Sequence, residues 1–285
     1  WVKANPTAKA PWDVKGFKVP GGVPHRSPGA GQVMTMANAM LHAKTNGNYP
    51  AQLNILSCIY EGIMVPIDAG LRIETRYFIN TQQRPEAKAM IRSLFLSTQA
   101  LSKGANRPAG VPKYELNKVA VIGAGLMGAG IAYEQARAGI ETILVDVSVE
   151  NAEKGKDYSR KLVEKNVSRG KMTKEKGEAL LALIKPTANY DDFKGADLVV
   201  EAVFENPELK AKITQMAEAQ LSDTAVMGSN TSTLPITGLA EASVRPANFI
   251  GIHFFSPVER MGLVEIISGK ETSEETLAKT IDYVL

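Results

Sequence analysis

KVAVIGAGLMGAGIAYEQARAGIETILVD, residues 118 to 146, is the stretch from which the rest of the chain is read. Val119 to Ile122 form an apolar run that stops abruptly at glycine, as a strand buried on both faces does. Gly123, Gly125 and Gly128 then give G-x-G-x-x-G. The first permits a tight turn, the second lets the backbone approach a pyrophosphate, and the third lets a helix pack close to the sheet. Leu126 to Ala138 suit that helix, Gly139 is a C-terminal stop, and Thr142 to Val145 return as a second strand. Asp146 follows, 23 residues after Gly123, where a carboxylate can accept hydrogen bonds from adenosine ribose hydroxyls. A lone glycine triplet would be weak, but here strand, turn, helix, strand and acid all fall at the spacing that dinucleotide binding requires. The expected cofactor is NAD. Asp146 repels the 2′-phosphate of NADP, Val147, Ser148 and Val149 supply no arginine to hold one, and FAD remains the lesser alternative.

Downstream, Ser148 is placed to cap a long polar helix running to about Gly170, and Thr173 to Ile184 predict a second helix packed against it. Lys161, Lys165, Arg169 and Lys171 near the first helix's end read as dipole compensation and solvation. Asp197 to Val203, DLVVEAV, resumes the sheet, and Pro207 starts another helix. Glu205, Asn206 and Lys210 sit just past that strand's carboxyl end, where ligands bind in open parallel sheets. Ala225 to Gly228 predict a fourth strand leading into SNTSTLPI, a candidate substrate-facing loop. Phe249 to Phe254 carry His253, Leu263 to Ile267 carry Glu265, and the segment between them holds a proline and a glycine that can reverse the chain. With Glu265 holding one ring nitrogen, the other nitrogen of His253 is free to take a proton, as alcohol oxidation beside a nicotinamide requires. The fold class expected is α/β, a Rossmann-like doubly wound sheet over residues 118–285.

Upstream the pattern changes. Residues 1–31 hold five prolines and five glycines and predict irregular structure. Helices follow over Gln32 to Lys44, Tyr49 to Met64, Ile67 to Phe78 and Pro85 to about Ser102, the last with Met90, Ile91, Leu94 and Phe95 on its apolar side. Cys58, the only cysteine, reads as a buried thiol among Ile55, Leu56 and Ile59, and it excludes an intrachain disulfide. Gly104, Pro108, Gly110 and Pro112 mark a linker at 104–117, so the expected domains are 1–103 and 118–285.

Composition narrows the class. No apolar run approaches the roughly 20 residues a bilayer span needs, and Trp1 to Lys18 lacks a signal peptide's apolar centre, so a cytoplasmic protein is expected. Residues 1–117 carry 14 Lys and Arg against 6 Asp and Glu, and the remainder 19 against 24. The basic residues are scattered and not interleaved with aromatics, which argues against nucleic acid, and no His, Cys or carboxylate spacing suggests a metal.

GAGLMGAGIA, DLVVEAVFEN, SNTSTLPI and HFFSPVERMGLVEII, in this order, resemble the NAD-binding domain of 3-hydroxyacyl-CoA dehydrogenase. PWDVKGFKVPGG, NGNYPA and the stretch from Leu71 to Phe78 resemble the segment joining enoyl-CoA hydratase to dehydrogenase in the multifunctional α-subunit of fatty-acid β-oxidation. The resemblance implies oxidation of L-3-hydroxyacyl-CoA to 3-ketoacyl-CoA, with His253 as base, Glu265 as its carboxylate partner and Ser232 near the substrate's 3-oxygen. It implies cofactor contacts at Met127, Asp146, Val203, Phe204, Glu205, Lys210, Asn230 and Ser256, together with the three glycines. It further implies an acyl-CoA substrate, a thiolase partner subunit, and dimer contacts and a substrate-binding asparagine in C-terminal helical domains. On that likeness the chain is expected to be an interior piece of a longer enzyme. Two positions depart from the family's habit: Ser256 stands where asparagine is common, and Gly262 where a bulkier residue or proline is usual. Two other readings compete, a β-hydroxyacid or sugar-acid dehydrogenase on the same nucleotide fold, and a non-catalytic nucleotide-binding scaffold.

Overall fold

The computed structural model describes all 285 residues and divides into two units, Trp1–Lys103 and Gly104–Leu285. Prolines start most helices of the first unit, where their missing N–H costs nothing. Pro28 opens α1 (Pro28–Thr45), Pro50 opens α2 (Pro50–Gly62), and Pro66 precedes α3 (Ile67–Gln83). Pro85 opens α4 (Pro85–Met90), which runs through a π-helical stretch, Ile91–Ser97, into α5 (Thr98–Ser102). Before α1 only two short 3₁₀ turns interrupt an irregular path. No residue of this unit is buried. Cys58 is half-buried, not enclosed as expected, and Ile91, Leu94 and Phe95 are each more than half exposed, so the expected apolar side of that last helix faces outward. A cleft of about 940 Å³ lies among Trp12, Phe17, Arg26, Cys58 and Met64.

The second unit is a seven-stranded sheet. Its strands are β1 (Lys118–Ile122), β2 (Glu141–Val145), β3 (Ile184–Thr187), β4 (Leu198–Glu201), β5 (Val226–Ser229), β6 (Phe249–Phe254) and β7 (Val264–Ser268), in the order β3-β2-β1-β4-β5-β6-β7. All neighbours are parallel except β7, which runs antiparallel to β6. Residues alternate faces along each strand. Val119, Val121, Leu144 and Val200 join one apolar layer with Ile131 and Ala132 of α6 (Leu126–Arg137). Ala120, Ile122, Ile143 and Val199 join the other, with Phe193 and Ala217. Burial on both faces is why these strands read as continuous apolar runs. Helices α7 (Val149–Ser168), α8 (Lys174–Leu183), α9 (Pro207–Glu218), α10 (Ile236–Ala240) and α11 (Glu274–Val284) complete the unit. Ser148 caps α7 by accepting from the Asn151 N–H, Asn206 caps α9, and Ser273 caps α11.

Strand order reverses at β1, which opens a crevice between the carboxyl ends of β1 and β4. The sequence reading had Ile184 ending a helix; it begins β3, a four-residue edge strand containing Pro186, too short and too proline-broken to signal itself. The five-residue α10 was likewise not expected. Residues 104–117, expected as a linker, contain no helix or strand, yet they are tied into the second unit. Arg107 donates to both oxygens of Asp282, at 2.7 and 2.9 Å, and to the carbonyls of Val111 and Pro112. Tyr114 donates its hydroxyl to Asp197, whose other oxygen accepts the Asn117 and Lys118 N–H groups.

Candidate functional site

The glycine turn sits at the mouth of the crevice. Gly123 has φ of +97°, and a β-carbon there would meet the Ala202 carbonyl oxygen at 2.7 Å. At Gly128 a β-carbon would lie 1.8 Å from the Gly123 carbonyl oxygen, so α6 packs as closely on the turn as backbone allows. Gly125, the N-terminal cap of α6, faces open space, with nothing within 4 Å of a β-carbon position. A bare helix N-terminus behind a side-chain-free turn is a cradle for a pyrophosphate. Met127 lies half-buried in the first turn of α6.

Asp146 closes β2 and does more than wait for a ligand. One oxygen accepts the Ala124 N–H at 2.8 Å, and the other accepts the Val147 N–H at 2.8 Å and the Asn151 amide at 3.3 Å. The carboxylate is therefore fixed beside the turn, with acceptor capacity left for hydroxyls. Tyr190 stands nearby. Burial first, and then the Asp146 and Glu201 charges, push its phenol up to about 12.

Across the crevice, Lys210 of α9 is 2% exposed, and its ammonium reaches Glu201 at 2.8 Å and Glu205 at 3.2 Å. Glu205 accepts the Ser232 N–H at 2.8 Å and the Thr231 hydroxyl at 2.9 Å. Burial raises the pKa of Glu205, but the Ser232 N–H, the Thr231 hydroxyl and Lys210 outweigh it, and the carboxyl is held below its ordinary value. Asn230 donates its N–H to the Glu201 carbonyl and accepts the Phe254 N–H on its side-chain oxygen, each at 2.8 Å. That bond links the loop after β5 to the end of β6, one residue from His253.

His253 and Glu265 are direct partners in the β6–β7 register, and Nδ1 lies 2.8 Å from the carboxylate. An ionised carboxylate only accepts, so Nδ1 carries the proton and Nε2 is the free basic nitrogen. The His253 side chain is 16% exposed, and the Phe255 ring lies 4.6 Å from the imidazole.

Residues 118–285 match the family described as 3-hydroxyacyl-CoA dehydrogenase, NAD binding domain. The chain belongs to this family. The fatty acid oxidation complex subunit alpha of Psychrobacter arcticus is 42% identical over 246 residues, 86% of this chain and 34% of that protein. The counterpart in Acinetobacter baylyi is 40% identical over 247 residues, 87% of this chain and 34% of its own. The chain thus spans about a third of the length of these curated relatives. Among solved structures, (S)-3-hydroxybutyryl-CoA dehydrogenase from Ralstonia eutropha superposes with a TM-score of 0.57 at 35% identity, covering 60% of this chain and 61% of that one. FadB2 from M. tuberculosis gives 0.58 at 34% identity, covering 60% of each.

For a 3-hydroxyacyl-CoA dehydrogenase domain, the sequence-predicted residues fall into three groups: the glycine turn with Asp146, the Lys210–Glu205–Ser232 network joined to Asn230, and the His253–Glu265 pair. Val203 is held by its N–H on Glu201, at 2.7 Å. Phe204 is 86% exposed, and Ser256 is exposed with no hydrogen bond from its hydroxyl. Sequence reasoning missed Glu201 and Tyr190. Glu201 carried a signal, since it is a lone charge at the end of the apolar run LVVE; Tyr190 carried none.

Proposed function

We propose that this chain supplies the NAD-binding and proton-transfer machinery of an enzyme that oxidises L-3-hydroxyacyl-CoA to 3-ketoacyl-CoA within a multifunctional β-oxidation protein. The observation that carries the reading is the His253–Glu265 pair, held where β6 meets the edge strand β7, in the same sheet as the dinucleotide turn after β1. NAD, when bound, accepts the hydride from carbon 3. Asp146 takes the adenosine ribose hydroxyls, and the amides that open α6, from Gly125 to Met127, take the pyrophosphate, since the Gly123 and Ala124 N–H groups are already bonded to Val145 and Asp146. His253 Nε2 removes the proton from the 3-hydroxyl, and Glu265 stabilises the resulting imidazolium. The Ser232 hydroxyl, 3.4 Å from Glu205 in this structure, is assigned to the same substrate oxygen. Met127, Val203, Phe204, Glu205, Lys210, Asn230 and Ser256 line the cofactor's path. Asp146 repels a 2′-phosphate, and Val147, Ser148 and Val149 supply no cation to hold one, which favours NAD over NADP.

The wider reading places this chemistry in the cytoplasm, with a thiolase subunit downstream to consume the 3-ketoacyl-CoA and dimer contacts made by further helical domains. No helix is long and apolar enough to cross a membrane, which is compatible with that setting. The test is single-turnover oxidation of NADH by acetoacetyl-CoA, with protein in excess so that weak acyl-CoA binding does not mask the chemistry. His253→Ala should slow the step by about 10²- to 10⁴-fold while NADH affinity stays within about twofold. An undiminished rate in the variant would sink the assignment.

A further inference from the structure

One buried charged group beside the crevice has no part in the chemistry above. Glu201, the last residue of β4, is 1% exposed, and its carboxylate is fully engaged. Oε1 accepts the Val203 N–H at 2.7 Å and the Lys210 ammonium at 2.8 Å; Oε2 accepts the same ammonium at 3.0 Å and the Ser229 hydroxyl at 2.8 Å. The Glu201 carbonyl also takes the Asn230 N–H. Stability alone does not call for this arrangement, because replacing a buried ion pair with apolar residues of similar volume is often neutral or stabilising. What the pair does provide is placement. From Glu201 the bonds lead to Lys210, from Lys210 to Glu205, and from Glu205 to the Ser232 N–H.

We propose that Glu201 is a positioning residue: its buried carboxylate fixes the Lys210 ammonium, and through it Glu205 and the Ser232 loop, against the nicotinamide half of the dinucleotide. This rests on the dehydrogenase reading above. The adenosine half is held elsewhere, at Asp146 and the glycine turn, so the two halves of the cofactor respond differently to a change at Glu201. A merely structural residue would disturb both alike.

The experiment measures binding of ADP, which probes the adenosine half, and of NADH to four forms of the 285-residue chain: wild type, Glu201→Gln, Lys210→Met, and both changes together. Circular dichroism reports folding. The expected result is ADP affinity within about twofold of wild type throughout, and NADH affinity of Glu201→Gln lower by roughly 5- to 150-fold, the usual span of coupling between linked sites. The double variant should match Lys210→Met, because Glu201 acts through Lys210. Wild-type NADH affinity in Glu201→Gln, a parallel fall in ADP affinity, or additive losses in the double variant would overturn the role. Should Glu201→Gln alone fail to fold, a folded double variant equal to Lys210→Met supports it, since the carboxylate is then needed only against that ammonium. A double variant that also fails to fold, or that binds NADH more weakly than Lys210→Met, overturns it. Wild-type protein that binds ADP but not NADH would instead overturn the dehydrogenase reading, and this role with it.

Discussion

At the scale of single residues, each charged group of the site is fixed by a partner from another element: His253 by Glu265, Glu205 by the Ser232 N–H, and Lys210 by Glu201. His253 and Glu265 were legible as a pair because each sits in an apolar strand and a proline and a glycine lie between them; their direct cross-strand register follows. Asp146 was legible as an acid at a strand end, but its second task, bracing the Ala124 N–H, depends on backbone that only the folded turn brings near. Glu205 was placed at the crevice by its position after a strand, whereas its bonds to Thr231 and Ser232 cross 26 and 27 residues of sequence. Those bonds predict a pH dependence. Folding lowers the Glu205 pKa, so its contribution to stability is full above the unfolded carboxyl value, about 4.3, and is lost as pH falls through the lowered folded value. Glu205→Gln should therefore melt below wild type at neutral pH, with the gap closing toward strong acid. Its side chain is 39% exposed, so solvent screening keeps the neutral-pH difference within about 1 kcal/mol. A gap of the same size at both ends of a melting series would remove Glu205 from this account.

At the scale of elements, strongly periodic segments were read nearly to their ends, and short ones were not. Helix α7 announces itself through a Ser148 cap and twenty polar-faced residues, and β1 through unbroken apolar burial. By contrast β3 has four residues, one of them proline, and only its pairing with β2 makes it a strand. Residues 104–117 are irregular, as their glycines and prolines predict, and single side chains hold the segment. Arg107 is the main clasp. Its bonds to Asp282 raise the guanidinium pKa and lower that of the carboxyl, and the Asp282 side chain is 5% exposed. Arg107→Ala would leave that carboxylate without its cation, holding the segment only through the Tyr114 N–H at 2.9 Å, and the segment would open more readily. Limited proteolysis should then cut within 104–117 faster than in wild type by roughly tenfold or more, given about 1.5 to 3 kcal/mol for charged hydrogen bonds and fast reclosing. Equal cutting rates would mean that Tyr114, through Asp197 and Asp282, holds the segment without Arg107.

At the scale of the whole molecule, the two units differ in the kind of stability available to them. The second has two apolar layers enclosing β1, β4 and β5, whose apolar residues are almost wholly sealed from solvent. The first has helices but no buried residue, and Phe78, Leu94 and Phe95 are 62%, 68% and 56% exposed. Helix propensity alone is marginal in water, and most helical stability comes from burying an apolar face. The periodicity of residues 32–102 predicted helices correctly but carried no information on whether their apolar sides would be covered by this chain. Amide exchange should therefore divide at the boundary near Lys103. Exchange in β1, β4 and β5 should require near-global opening, while amides of α1 to α5 exchange through local opening at rates at least about tenfold higher. NADH should slow exchange in the turn after β1 and in the loops after β4 and β5, since a ligand that binds only the folded form adds its binding energy to the opening cost there. Equal protection in both units without ligand would show that burial, as seen in this fold, is not what sets their relative stability.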